Sequence, residues 1–244
     1  MKALKLGIHV LRALAQTRPD HPNSRDVRNW CQKFFCHLKI KVHHRGCLPD
    51  PSNGPCLIVS NHVSWLDPLA VSSIHPASFV SKAEISRIPV LGHLARRGGT
   101  VFLDRSSFRS LGTVFRKMEA LIERGKSVAL FPEGKTTLGS DVLSFAPALF
   151  ETACRARIPI FPVGIRYTRN NGKDLALSAA FVEGQSFFSS FQNILGEEDL
   201  EVTLSWTTPI FPDRLSRREM AECSESRIKA ILGCGGLSGE TASV

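Results

Sequence analysis

The chain has 244 residues, 43% of them hydrophobic, and carries 31 Lys and Arg against 22 Asp and Glu. This length suits one α/β domain with a sizeable core, and the composition is ordinary for a soluble protein. Seven cysteines, an odd number with no C-x-x-C pair, argue against a disulfide framework and a tetrahedral zinc site and fit a reducing compartment. The sequence has no apolar run of about 18 residues, which a membrane-spanning helix needs, and no cleavage site typical of a secretory signal.

The positive charge is concentrated at the N-terminus. Residues 1–50 hold ten Lys or Arg and three Asp, a net charge of +7 out of the +9 of the whole chain. Within residues 1–16 a basic stripe runs along an otherwise apolar helix, at Lys2, Lys5, His9 and Arg12. The pattern is typical of a helix lying in the plane of a membrane interface, although a helix docked on the domain with a solvated basic edge would show it too.

A second basic amphipathic helix is predicted to begin at Ser24, with apolar residues at helical spacing. We therefore interpret residues 1–42 as a basic amphipathic helical segment that associates with an anionic membrane surface, to which each Lys or Arg contributes about 1 kcal/mol. The rival polyanionic partner is nucleic acid. Because the aromatic residues Trp30, Phe34 and Phe35 fall on the apolar side of the helix, we expect no nucleic acid partner.

From residue 56 predicted strands alternate with predicted helices, after a predicted edge strand at 39–44. The strands lie near 56–60, 78–81, 100–103, 127–131, 159–167, 178–183 and 201–206. The helices lie near 68–74, 83–96, 108–124, 144–156 and 214–232. This alternation predicts an α/β fold, a mostly parallel sheet with helices on both faces, over a domain of residues 43–232. Residues 233–244 are small and polar and are predicted to be a flexible tail.

The first buried strand runs into the polar stretch NHVSWLD at residues 61–67. Asp67 precedes Pro68, and a residue before proline is disfavoured in a helix, so residues 62–67 should form a turn that brings His62 and Asp67 together. A carboxylate bonded to one imidazole nitrogen raises the basicity of the other, which suits acyl transfer to an alcohol. Taken alone, the stretch also fits Asp67 as a helix N-cap beside an ordinary loop histidine.

A strand in the stretch GGTVFLDR, residues 98–105, ends at Arg105. An arginine at a strand end can clamp a phosphate bidentately, or it can pair at the surface with the neighbouring Asp104.

The stretch FPEGKTT at residues 131–137 follows another buried strand and turns at Pro132. Its Gly-Lys-Thr resembles the end of a nucleotide-binding P-loop, but Ala129 stands where that motif has its first glycine, so we do not expect a nucleotide triphosphatase. The sequence also has no serine-hydrolase elbow and no metal-ligand motif.

Four sequence blocks lie in the order of the motifs of the glycerolipid acyltransferase family: NHVSWLD (61–67), GGTVFLDR (98–105), FPEGKTT (131–137) and IPIFPV (158–163). Over roughly residues 40–210 the chain therefore resembles this family, which includes bacterial 1-acylglycerol-3-phosphate and lyso-ornithine-lipid acyltransferases. The resemblance implies transfer of a fatty acyl chain from acyl-CoA or acyl-carrier protein to the hydroxyl of a lysophospholipid. The preferred acceptor is 1-acylglycerol-3-phosphate, which gives phosphatidate, and the alternative is a lyso-ornithine lipid.

The same resemblance implies roles for individual residues. His62 of the HX4D motif is the general base, Asp67 orients it, and no acyl-enzyme forms. Arg105 binds the phosphate of the acceptor. The other candidate substrate-binding residues belong to the third block and are Glu133, Gly134, Lys135 and Thr136. No metal ion and no cofactor beyond the acyl donor is implied.

The third block departs from the usual F-P-E-G-T-R-S, because Thr136 occupies the place of the arginine and Lys135 stands one residue earlier. This change favours the lyso-ornithine-lipid alternative.

The short basic N-terminal segment predicts peripheral attachment at the cytoplasmic face of the (inner) membrane. A thioesterase that uses the same histidine on water is the remaining rival among enzymes.

Overall fold

The computed structural model describes residues 6–7, 10, 24–88, 91–103, 108–233 and 242–243. The helices in this part of the chain are α1 (Ser24–Leu38), α2 (Asp67–Ile74), α3 (Leu91–Arg97), α4 (Phe108–Glu123), α5 (Glu151–Ala156), α6 (Phe187–Gly196) and α7 (Arg217–Gly233). The strands are β1 (Lys41–Gly46), β2 (Leu57–Ser60), β3 (Ser78–Lys82), β4 (Val101–Leu103), β5 (Val128–Leu130), β6 (Ile160–Arg169), β7 (Asp174–Leu175), β8 (Glu201–Trp206) and β9 (Ala242–Ser243).

The strands form one sheet in the order β4-β3-β5-β2-β6-β8-β1-β9, and β7 pairs with the end of β6. The first five strands in this order are mutually parallel. Strand β8 runs antiparallel to β6 and parallel to β1. Because β2 and β5 are parallel neighbours, the turns that follow them emerge at the same edge of the sheet.

Helices cover both faces of the sheet, because alternate residues of each strand point to opposite sides. Ile58 of β2 packs in a core with residues of α1, α2 and α6. Its neighbours Leu57 and Val59 pack in a second core with residues of α4, α5 and α7. The predicted α/β fold with a mostly parallel sheet is confirmed.

Helix α1 lies against the domain through its apolar face. Phe34, Phe35 and Leu38 are buried, and the rings of Phe34 and Trp65 form a T-shaped pair with centroids 6.4 Å apart. The amide of Gln32 donates to the carbonyl of Ser73 at 3.1 Å. The basic side chains of this helix remain exposed, at Arg25, Arg28 and Lys33. Leu6, which is helical, is also buried in the core.

The predicted strand at 178–183 is wrong. Residues Leu177–Ala179 form a short 3-10 helix, and the N–H of Phe181 donates to the carbonyl of Val63 at 2.9 Å, outside the sheet. The predicted edge strand, observed as β1, lies between β8 and β9. Two residues of the predicted flexible tail, 242 and 243, pair with β1.

Prolines divide one of the predicted helices and shorten another. In the helix predicted at 83–96, Ile88 has an extended backbone (φ −70°, ψ 119°) before Pro89, so a 3-10 helix at Ala83–Arg87 is separate from α3. In the helix predicted at 144–156, Ala146 is extended before Pro147, and helical structure begins only at that proline. Helix α6 was not predicted, because its serines and asparagine favour helices weakly.

Candidate active site

Asn61 fixes the end of β2 against β6. Its side-chain amide donates to the carbonyl of Ile165 at 2.9 Å, and its side-chain oxygen accepts the N–H of the same residue at 2.7 Å. Because the side chain is fully buried, these two bonds satisfy it where the strand ladder ends. The chain therefore leaves the sheet at a defined point, immediately before His62.

His62 and Asp67 are in contact across the turn that follows. Nδ1 of His62 lies 2.7 Å from Oδ2 of Asp67, and the same oxygen accepts the backbone N–H groups of Val63 and Ser64 at 2.8 and 2.9 Å. Since a carboxylate only accepts hydrogen bonds, Nδ1 of His62 is the donor, and in the neutral imidazole Nε2 then keeps its lone pair. The imidazole side chain is 20% exposed, whereas Asp67 is fully buried.

Asp67 does not act as the N-cap of the following helix. It is the first residue of α2 after Leu66, and its carboxylate points back to the turn, not forward to the helix N–H groups. The simpler interpretation of this stretch, a capping aspartate beside an unrelated histidine, is therefore wrong.

The turn after β5 packs directly on His62. The rings of His62 and Phe131 stack with centroids 3.9 Å apart and an angle of 8° between their planes. The N–H of Thr137 donates to the carbonyl of His62 at 2.8 Å. The first and third sequence blocks thus meet at the edge where the parallel strands end.

Glu133 lies in this turn with both carboxylate oxygens buried and without a hydrogen bond of ordinary geometry. Burial raises the pKa of the Glu133 carboxyl to about 8, an effect that the backbone N–H groups of His62 and Leu143 oppose and the charges of Asp67 and Asp141 increase. A buried carboxyl with unused hydrogen-bonding capacity is a functional-site candidate.

The remaining candidates differ in their surroundings. Gly134 has a φ of 73°, a left-handed conformation that favours glycine and lets the chain reverse after Glu133. Lys135 is exposed in the same turn. The hydroxyl of Thr136 donates to the carbonyl of Phe181 and so ties the turn to the loop before α6. Arg105 lies outside the described residues.

Two residues that the sequence patterns did not single out belong to the site. Asn61 adjoins His62 in the first block. Tyr167, which is fully buried on β6, donates its hydroxyl to Oδ1 of Asp67 at 2.8 Å. The only sequence signal for Tyr167 is that the chain has a single tyrosine.

The geometry supports proton transfer by a histidine base. Within the described ranges, no group of three or more His, Cys, Asp or Glu side chains is placed to hold a metal ion. None of the helices in these ranges combines the length and the apolarity needed to cross a bilayer.

Comparison with known proteins gives the family. The sequence model of the family described as Acyltransferase matches residues 39–166. A 1-acyl-sn-glycerol-3-phosphate acyltransferase from Neisseria gonorrhoeae is 41% identical over 128 residues, 52% of this chain and 50% of that protein, so the chain spans about half the length of this curated relative. A lyso-ornithine lipid O-acyltransferase from Pseudomonas aeruginosa is 30% identical over 234 residues, 94% of this chain and 88% of that protein.

A solved structure shares the fold. The 1-acyl-sn-glycerophosphate (LPA) acyltransferase PlsC from Thermotoga maritima has a TM-score of 0.63 at 18% identity, covering 93% of this chain and 86% of that one. This chain belongs to the acyltransferase family, and the matched region includes both His62 and Glu133. The resemblance predicted from the four sequence blocks is thus confirmed.

Proposed function

We propose that this chain is an O-acyltransferase that moves a fatty acyl chain from acyl-CoA or acyl-carrier protein to the free hydroxyl of a lysolipid. The observation that carries the proposal is the His62–Asp67 hydrogen bond of 2.7 Å at the edge of the sheet. It fixes the histidine tautomer that leaves Nε2 ready to accept a proton, while part of the ring is open to solvent.

In the proposed reaction, Nε2 of His62 removes the proton of the acceptor hydroxyl as its oxygen attacks the thioester carbonyl carbon. The C–O bond forms, the C–S bond breaks, and the proton passes from His62 to the departing thiolate. Asp67 stabilises the imidazolium that exists between these two proton transfers. The acyl group passes directly from donor to acceptor, with no acyl-enzyme and no metal ion.

The preferred acceptor is 1-acylglycerol-3-phosphate, and the product is phosphatidate. Glu133 and Gly134 form the acceptor side of the site next to His62, and Arg105 and Lys135 supply positive charge for the phosphate. At neutral pH Glu133 is protonated, because burial raises its pKa to about 8, so it does not repel the anionic headgroup.

A second acceptor, a lyso-ornithine lipid, is favoured by a specific observation at Thr136. The hydroxyl of Thr136, in the place of the family's arginine, is bonded to the carbonyl of Phe181 and adds no positive charge for a phosphate. The match of the lyso-ornithine lipid O-acyltransferase from Pseudomonas aeruginosa to 94% of this chain also supports a lyso-ornithine lipid as the acceptor.

A panel of radiolabelled lysolipids tests the activity and the acceptor together. We expect acyl transfer from acyl-CoA or acyl-carrier protein to 1-acylglycerol-3-phosphate, little thioester hydrolysis without acceptor, and loss of transfer in His62→Ala with the fold intact. Faster transfer to lyso-ornithine lipid would select the second acceptor. His62→Ala activity within a few-fold of wild type would reject the assigned base, and rapid hydrolysis without acceptor would indicate a thioesterase.

We further propose that the chain attaches peripherally to an anionic membrane at its cytoplasmic face. The exposed basic residues of α1, Arg25, Arg28 and Lys33, support this proposal, because clustered Lys and Arg are attracted to anionic lipid. The apolar face of α1 packs on the domain, so the attraction of this helix to the membrane is electrostatic.

A further inference from the structure

Tyr167 completes the hydrogen bonding of Asp67 from the opposite side of the carboxylate. Oδ2 of Asp67 takes the imidazole of His62 and two backbone N–H groups, and Oδ1 takes the Tyr167 hydroxyl at 2.8 Å. The two bonds between Asn61 and Ile165, two residues before Tyr167, hold β6 in register with the turn. The tyrosine is therefore aimed at Asp67 by the strand, not by a mobile loop.

The hydroxyl of Tyr167 is a permanent donor to this carboxylate. Burial raises the pKa of Tyr167 well above its ordinary value of 10, the charge of Asp67 and the hydrogen bond to it add to the rise, and the Ser64 hydroxyl opposes it. Tyr167 consequently stays protonated at neutral pH. Since Asp67 is fully buried, each donor on its oxygens disperses charge that water does not reach.

We propose that Tyr167 is a positioning residue that orients Asp67 towards His62 and limits the negative charge that the carboxylate directs at the imidazole. The inference rests on the proposed role of His62 as the general base. Tyr167 lies behind Asp67 and is fully buried, so it acts on the reaction through Asp67 and not through contact with substrate.

The expected effect of removing the hydroxyl follows from electrostatics. Without the Tyr167 donor, the carboxylate carries more charge towards His62 and holds the protonated imidazole more strongly. The acidic limb of the pH–rate profile then moves to higher pH. Among the described residues, Glu133 in the turn after β5 interacts electrostatically with Asp67, and Asp141 and Lys229 of α7 interact in turn with Glu133. Because burial raises the pKa of Glu133 to about 8, ionisation of this carboxyl affects the alkaline limb.

The first experiment compares Tyr167→Phe with Thr168→Val. Both remove a buried hydroxyl from adjacent positions of β6 while keeping the size of the side chain, but only Tyr167 contacts Asp67. For Tyr167→Phe we expect kcat to fall about tenfold, KM to stay within about twofold, and the acidic limb to move up by roughly half a pH unit. Thr168→Val should keep the wild-type profile.

The second experiment uses the fact that Tyr167 is the single tyrosine of the chain. Expression with 3-fluorotyrosine, and a purification tag that lacks tyrosine, replaces this one side chain by a more acidic phenol of almost the same size. A stronger donor withdraws more charge from Asp67, so the acidic limb should move to lower pH, opposite to the change in Tyr167→Phe. The pH profile of the fluorotyrosine protein also tests the role of Tyr167 if Tyr167→Phe does not fold.

An unchanged acidic limb in the fluorotyrosine protein, or a Tyr167→Phe profile that matches that of Thr168→Val, would reject the role of Tyr167. The His62→Ala variant separates this failure from failure of the proposed function. An inactive His62→Ala protein with unshifted Tyr167 profiles rejects the positioning role alone, whereas a fully active one rejects the base itself.

Discussion

At the scale of single residues, the site depends on one buried carboxylate that accepts four hydrogen bonds. The donors to Asp67 are His62, two backbone N–H groups and Tyr167, and the Asp67 side chain is fully buried. Such a group is costly to bury unless every lone pair is used. The neighbourhood of Asp67 therefore fixes the carboxylate in one orientation towards His62, which the proposed reaction requires.

The first prediction concerns Asp67→Asn. The amide keeps the size of the side chain, but one carboxylate oxygen is replaced by an NH₂ group, which is a donor. This donor would face the donors that bind the carboxylate in the wild-type chain, and it would favour the histidine tautomer that is protonated on Nε2. We expect kcat to fall by about 10³-fold or more, measured by acyl transfer, with the circular dichroism spectrum unchanged. Asp141→Asn, in the loop near Glu133, serves as a matched control and should change kcat less than about threefold. A loss below tenfold for Asp67→Asn would contradict its assigned role.

The second prediction concerns the pH dependence that Glu133 imposes on stability. Burial raises the pKa of this carboxyl from 4.5 to about 8. The folded chain therefore holds a proton on Glu133 that the unfolded chain releases, so the contribution of this carboxyl to stability is greatest below pH 4.5. That contribution falls as the pH rises towards 8, by at most about 1.4 kcal/mol per pH unit. The partial exposure of the turn reduces this slope.

Denaturant unfolding from pH 5 to 8 measures the effect. Glu133→Gln, which is neutral at every pH, should lose less stability over this range than the wild-type chain, and Glu123→Gln at an exposed position should behave as wild type. Parallel slopes for the wild-type chain and Glu133→Gln would show that the carboxyl is ionised in the fold. The same variant should also keep its transfer activity above pH 8, where the wild-type activity declines.

At the scale of elements, the site is formed where two turns from parallel strands β2 and β5 pack together. The stacked rings of His62 and Phe131 and the bond from Thr137 to His62 join the turns. Val63 extends this contact, because the loop after the third block passes close to it at Gly139. The spacing of the two turns is thus set by backbone approach as well as by side chains.

The third prediction tests this approach with Gly139→Ala. The residue has a φ of 79°, and an added Cβ would lie 3.1 Å from Cγ2 of Val63, next to His62. We expect a loss of about 1 kcal/mol from the backbone conformation. We also expect a several-fold fall in kcat because the turn at 61–67 shifts. Gly172→Ala is a matched control, since its φ is 83° but its Cβ would meet open space.

The measurements are the free energy of unfolding in denaturant and the rate of acyl transfer for both variants. Gly172→Ala should lose similar backbone stability and keep wild-type kcat. If the two variants have the same activity, the contact between Gly139 and Val63 does not position the base.

At the scale of the whole molecule, the charge of the chain is asymmetric. Of the net charge of +9, +7 lies in the first 50 residues, and the basic residues of α1 are exposed on a helix that covers one face of the sheet. An anionic surface would therefore attract the molecule through this face.

The fourth prediction is that Arg28→Ala with Lys33→Ala weakens binding to anionic vesicles. At about 1 kcal/mol for each basic residue, the pair should cost about 30-fold in affinity, measured by co-sedimentation at low salt. The control is Lys117→Ala on α4 combined with Arg124→Ala in the turn after it, which removes the same charge from the opposite face of the sheet. Equal losses in both double variants would mean that net charge, and not α1, governs binding. Tighter binding to oligonucleotides than to vesicles would favour the nucleic acid alternative.

The sequence by itself determined the α/β fold, and through the resemblance of its four blocks to the family it predicted the contact between His62 and Asp67. Alternation of apolar runs with helical periodicity is local information, and Pro68 marks the first turn of a helix, although that helix begins one residue earlier, at Asp67. The same local rules predicted a strand at 178–183, which is wrong because Phe181 donates to the carbonyl of Val63, more than 100 residues earlier in the chain. No local pattern contains that partner.

Only the tertiary structure decided what surrounds the pair. Tyr167 reaches Asp67 across 100 residues, and Glu133 is buried beside His62 because β2 and β5 are neighbours in the sheet. A pKa or a hydrogen bond of this kind depends on distances between segments remote in sequence, which residue types and spacing do not encode locally. The sequence thus identified the histidine and aspartate that we propose as the base and its partner, and the packing of β2, β5 and β6 determined the buried groups around them.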